Sequence, residues 1–127
     1  MIDRFDLIIE VQEVTADMLL APTANKPSHA IAQRVVVARA FAATWQNQGA
    51  DCVNARLQPD QLADIINFDE DAMLLLKMAV EQSHLSARAS HEIQRVARTI
   101  VGLNAESMIS CATIAEALAY RTMPLLA

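Results

Sequence analysis

The residues best placed to do chemistry are three arginines on one stretch of chain. Over 86–103, Arg88, Arg95 and Arg98 cluster on one side when the residues are wound at about 100° each. Ile93, Val96, Ala97 and Ile100 point to the other side, as in an amphipathic helix. Ser86 is a good N-cap, which puts Arg88 in the first turn. A cation is disfavoured there by the helix dipole. A guanidinium kept at that place suits an anion within its reach, such as a phosphate. The alternative is a solvated face on which Arg88 and Glu92 form an i,i+4 pair.

Other chemistry has less support. His29, His84 and His91, with Cys52 and Cys111, make no recognisable zinc spacing, and no metal site is expected. Ser86 reads as a cap rather than a nucleophile, because no His–Asp relay accompanies it. Met73, Leu74, Leu75, Leu76 and Met78 read as core, with a partner groove as the alternative. The chain holds no GxxxxGK[ST] loop and no acidic Walker B strand.

The elements that must position these residues follow from composition and pattern. The chain has 127 residues, 54% hydrophobic but only 4% aromatic, with 2 glycines and 4 prolines. Ala, Leu, Ile, Val and Met supply the apolar mass, which favours packed helices and excludes a disordered chain. The net charge of −5 argues against a basic nucleic-acid footprint and a helix-turn-helix DNA binder. Charge is nonetheless uneven: residues 58–85 hold six acids and one lysine, while 86–127 hold four arginines and three acids. The two cysteines show no CxxC and read as reduced thiols of a cytoplasmic protein. No apolar run reaches the roughly 18 residues a membrane span needs.

Residues 5–14 alternate, with Phe5, Leu7, Ile9 and Val11 on one side, and predict a strand. No second strand follows to pair with it, so it reads as an orphan from a missing sheet. Residues 15–27, with Pro22 and Pro27, read as a linker. A helix is expected from Ser28 to about Gln48, stopped by Gly49. Its face of Ile31, Val35, Ala38, Ala42 and Trp45, widened by Val36, Val37 and Phe41, predicts burial on more than one side. Further helices are expected from Pro59 to Ile66, from the Asp69 cap to Gln82, over 87–103, and from the Ser110 cap over 111–122.

Several of these stretches resemble a family. Leu85-Ser86-Ala87-Arg88-Ala89, Arg95-Val96-Ala97-Arg98-Thr99-Ile100 and Glu116-Ala117-Leu118-Ala119-Tyr120-Arg121 are similar to the C-terminal domain of magnesium-chelatase-like AAA+ ATPases. The ComM/YifB competence-related branch is the nearest in pattern. Asn54-Ala55-Arg56-Leu57, Leu62, Arg34-Val35 and Ala38-Arg39 fit it, and Asp3-Arg4-Phe5-Asp6-Leu7 resembles its Asp-Arg segment. The chain departs from the family at Val101-Gly102-Leu103, where Ala-Asp-Leu is usual, and at Ala42 and Trp45, near places that often hold Gln and Arg.

The resemblance implies an all-α helical lid over 28–127, with 1–27 as the end of a missing ATPase core. It implies that Arg4 is an arginine finger reaching a neighbouring subunit's nucleotide, and that Arg88 is the sensor 2 arginine contacting the γ-phosphate. It implies ATP with Mg in the full-length protein, a hexameric ring of subunits, and DNA as the substrate of the ComM-like branch. For the chelatase branch, the implied partner is a subunit that inserts Mg²⁺ into a porphyrin. From the residues alone, a free-standing helical interaction or oligomerisation module is the other reading. Without a phosphate loop or a Walker B acid, the isolated chain is expected to hydrolyse no ATP. Purified chain releasing phosphate above a catalytically dead control would contradict this.

Overall fold

The computed structural model describes residues 6–11, 13–20, 27–45, 54–65 and 67–121. Six α-helices occupy them: α1 (Ala16–Leu20), α2 (Ser28–Trp45), α3 (Pro59–Ile65), α4 (Glu70–Ser83), α5 (Ala87–Leu103) and α6 (Cys111–Ala119). A 3-10 turn, Asn54–Arg56, precedes α3. Among the described residues there is no strand, so the fold is all-α as expected.

The capping residues act as their types dictate. Ser86 Oγ accepts the Ala89 N–H at 3.1 Å, and Ser110 Oγ accepts the Thr113 N–H at 3.3 Å. Each satisfies an amide that the first helical turn leaves without a partner. Asp69 takes the extended cap conformation ahead of α4 but makes no side-chain cap hydrogen bond.

Helix α5 lies at the centre, against α6, α2, the 3-10 turn and α3. Its Ala89, Ile93, Ala97, Ile100 and Val101 are buried. They meet Ala72 and Leu76 of α4, Ile109, and Ile114 and Ala117 of α6 in one apolar cluster. Leu57 and Leu62 are buried as well, at the 3-10 turn and α3. An isolated parallel bridge joins Phe68 to Ile109. Its hydrogen bonds run from the Ile109 N–H to the Asn67 carbonyl (2.7 Å) and from the Asp69 N–H to the Ile109 carbonyl (2.9 Å). The segments leading into α4 and α6 are thereby held side by side.

Four expectations are corrected. The strand over 5–14 does not form in its described part, 6–11 and 13–14, and no ladder partner for it is present among the described residues. Instead the Ile8 N–H donates to the Tyr120 carbonyl at 2.7 Å, and Leu7, Ile9 and Val11 stay exposed. Within the expected linker, residues 16–20 form α1, whose entry Thr15 caps by accepting the Met18 N–H at 3.2 Å. Helix α2 is not buried on several sides. Ile31, Val35, Val36 and Val37 face solvent, and Ala38, Phe41 and Ala42 are half-buried, on a helix whose main neighbour is α5. Nor is the methionine–leucine run wholly core: Leu76 is buried and Leu75 half-buried, while Met73, Leu74 and Met78 are exposed. One helix side meets the cluster, and a consecutive run winds around all sides. Gly49, the expected stop of α2, lies outside the described residues.

Two helix ends use the left-handed conformation without glycine. His84 after α4 has φ 50°, and Ala105 after α5 has φ 55°. Beyond α5 the Glu106 N–H bonds the Val101 carbonyl (2.9 Å) and the Ala105 N–H bonds the Gly102 carbonyl (3.2 Å), the Schellman pattern that favours glycine at this place. A Cβ in that region costs roughly 1–2 kcal/mol, against up to about 1 kcal/mol for the added freedom of the unfolded chain. Ala105→Gly is therefore expected to stabilise the protein by about 0.5–1 kcal/mol in urea or thermal unfolding. A lower melting temperature would contradict the assignment of this cap.

Candidate functional site

Arg88 stands in the first turn of α5, immediately after the Ser86 cap, with 63% of its side chain exposed. Its Nε donates to Glu92 Oε1 at 3.1 Å. Glu92 is only 4% exposed, and its other oxygen, Oε2, accepts from Arg121 Nη1 at 2.7 Å. Arg121 follows α6, and its side chain is 10% exposed. Two cations thus flank one buried carboxylate, and the outer cation faces water. The i,i+4 pair foreseen between Arg88 and Glu92 is present, but its acid is buried. Glu92 lies about 40° from Arg88 on the helix, within reach of the turn that follows α6.

Arg88 and Arg95 lie on one side of α5, about 20° apart on the helix, but the three arginines are not equally open. Arg98, expected beside Arg88, is 3% exposed. Its Nη1 lies 3.5 Å from the Ser107 carbonyl, because α5 is enclosed on nearly every side and position 98 turns toward the 104–110 connection. Burial pulls its guanidinium below the usual arginine pKa. Arg95 is half-buried and donates from Nε to the Leu57 carbonyl at 2.9 Å. It thereby anchors the 3-10 turn, which Asn54 also ties to α5 by donating from Nδ2 to Thr99 Oγ1 at 3.0 Å. The Asn54–Leu57 motif and Arg95 therefore serve packing. Arg4 lies outside the described residues.

A second feature was not legible from the sequence. A cleft of about 440 Å³ opens between the Asp6–Ile9 segment, α2, the 3-10 turn, α5 and the end of α6. Arg34, Arg95, Thr99, Glu116 and Tyr120 line it, and Arg88 does not. The other named candidates stand apart from both features. His84 is the left-handed cap of α4, His91 is half-buried on α5, and Cys111 is an exposed thiol that opens α6. Among the described residues no group of three His, Cys, Asp or Glu gathers as a metal site would require, and no helix is long and apolar enough to cross a membrane.

The arrangement of capped α5, Glu92 and the turn after α6 falls within a stretch that comparison identifies. Residues 25–121 match the family described as magnesium chelatase, subunit ChlI C-terminal. The chain belongs to this family. Among its relatives are the competence protein ComM of Haemophilus influenzae, 32% identical over 123 residues, and the protein YifB of Escherichia coli, 28% identical over 123 residues. Each alignment covers 96% of this chain, and 23% and 24% of the respective relative. The chain thus spans about a quarter of the length of these relatives. The all-α lid implied by the resemblance of the 85–89, 95–100 and 116–121 stretches is the helical fold described above.

At the rim of the cleft, the Tyr120 hydroxyl donates to Glu116 Oε1 at 3.0 Å. That hydrogen bond, then the carboxylate charge and a little burial, push the phenol above its usual pKa. A raised folded-state pKa means that the folded chain holds this proton more tightly. The contribution to stability is fully present below the ordinary phenol value and is lost as pH rises through the folded one. Tyr120 is the single tyrosine. Its tyrosinate absorbance is expected to appear at higher pH in the native chain than in the Glu116→Gln variant. Identical titration curves would rule out the Glu116 interaction.

Proposed function

We propose that this chain is the lid of an AAA+ ATPase of the ComM/YifB kind, with residues 28–127 as the lid and 1–27 as the end of the ATPase core. The observation that carries the reading is Arg88. It is exposed at the N-terminal turn of α5, while the rest of that helix is largely enclosed. A cation in that position works against the helix dipole and suits a phosphate brought by another part of the assembly. Its donor set fits the nucleotide in kind, since a guanidinium carries five N–H groups in a fixed fork.

In this reading Arg88 is the sensor 2 arginine and holds a terminal phosphate oxygen of ATP. Arg4 is the arginine finger, offered to the neighbouring subunit of a hexameric ring. The bound nucleotide supplies the phosphoryl group, and the lid's part is to register its presence and move against the core. The resemblance to the competence-related branch, which includes the competence protein ComM, is the ground for reading DNA as the substrate and the cytoplasm as the place of action. The exposed apolar side chains of α2 and α4 favour a second reading, a helical interaction module with no nucleotide role. A phosphate loop encoded in frame ahead of Met1 would decide for the lid.

Arg88→Ala in the complete ATPase is expected to lower hydrolysis on the order of 10²-fold, as loss of one donor to developing charge does elsewhere. Stability should change little, because the Arg88 side chain is mostly exposed and Arg121 still compensates the buried Glu92. A protein that melts early yet hydrolyses ATP normally would assign Arg88 to structure alone.

A further inference from the structure

The geometry points to Glu92 as a positioning residue that aims Arg88 without neutralising it, with Arg121 as the counter-charge that makes this possible. The inference rests on Arg88 being the phosphate contact. A buried carboxylate needs a cation and satisfied lone pairs. Arg121 provides the cation: its contact to Oε2 is short at 2.7 Å, and both side chains are almost fully enclosed. The Arg88 contact to Oε1 is longer at 3.1 Å and half a surface contact. Glu92 is therefore compensated from inside the bundle by Arg121. Arg88 is the exposed member and presents its own charge outward.

The contact is made by Nε, one of five guanidinium donors. An Nε anchor fixes the plane of the guanidinium and leaves the work of binding an anion to the two terminal nitrogens. Arginine alone could serve in this way. A lysine at position 88 would have one nitrogen and no fixed plane, so it could not be anchored through one nitrogen while two others face the phosphate. Without Arg121, the full carboxylate charge would fall on Arg88 and compete with any phosphate.

The test is Glu92→Gln in the complete ATPase, with Glu92→Asp as a second variant that keeps the charge but shortens the reach to Arg88. Each is measured for kcat, KM for ATP and melting temperature, alone and combined with Arg88→Ala. Either variant is expected to lower kcat/KM about tenfold, less than the ~10²-fold that a 1 Å misplacement can cost. With Arg88→Ala already in place, neither should lower it further, because Glu92 acts through Arg88. The melting temperature should fall in both backgrounds alike. An equal loss of kcat/KM with and without Arg88 would overturn the positioning role. Unchanged kcat/KM in both Glu92 variants, with Arg88→Ala still impaired, would overturn it too. If Arg88→Ala itself leaves hydrolysis intact, the phosphate-contact reading fails, a result distinct from the other two.

Discussion

Everything in this bundle depends on α5 being enclosed. Four elements pack around it, and its buried positions run almost the whole way round the helix. A helix in that situation has little free polar surface, so its buried polar residues must be satisfied inside the protein. Arg98 meets the Ser107 carbonyl, Arg95 the Leu57 carbonyl, and Glu92 the Arg121 guanidinium. Each contact ties α5 to a different stretch of chain. The turn after α6, the 3-10 turn and the 104–110 connection are thus fixed by the polar groups of the helix that they cover. Arg88 and Thr99 are exposed on the one side of the helix left open, and Arg88 lies at its start, in the first turn.

The sequence is informative where a local rule governs. Ser86 and Ser110 announce helix starts because a hydroxyl beside an unpaired amide has one good conformation. The apolar side of α5 is readable because its period is set by the helix itself. Where the outcome depends on partners, the pattern misleads. The Phe5–Val11 alternation describes a strand that suits a sheet, and no sheet is present among the described residues. Ile31 and Val35 mark a face of α2, yet nothing in the pattern says whether a neighbour covers it. Arg98 looks exposed on a helical wheel only if half the wheel is taken to be solvent. The better signal was Glu92, an acid between Ala89 and Ile93, since an acid flanked by core positions needs a distant cation. Arg121 could not be found by spacing, because 29 residues separate the two.

Packing in this chain is accordingly one-sided. Ala89, Ala97 and Gly102 are buried along α5 beside Ile93, Ile100 and Val101. At Gly102 an added Cβ would lie 3.9 Å from the Ala38 carbonyl, an ordinary contact distance, so close approach does not demand glycine there. The larger aliphatic side chains of α2 and of the Met73–Leu74 stretch are turned outward. A domain that leaves this many large aliphatic side chains outside buries less apolar surface than its composition allows.

The Phe68–Ile109 bridge has a consequence for how the chain opens and closes. Its amides, on Asp69 and Ile109, belong to no helix, so the fraying of any single helix leaves them covered. They exchange with solvent only when the segments leading into α4 and α6 come apart, and that separation takes the buried Ile109 side chain with it. Deuterium uptake at these two positions is therefore a direct clock for loss of the whole assembly, while the amides of α1 and the outer turns of α2 report nothing but local breathing.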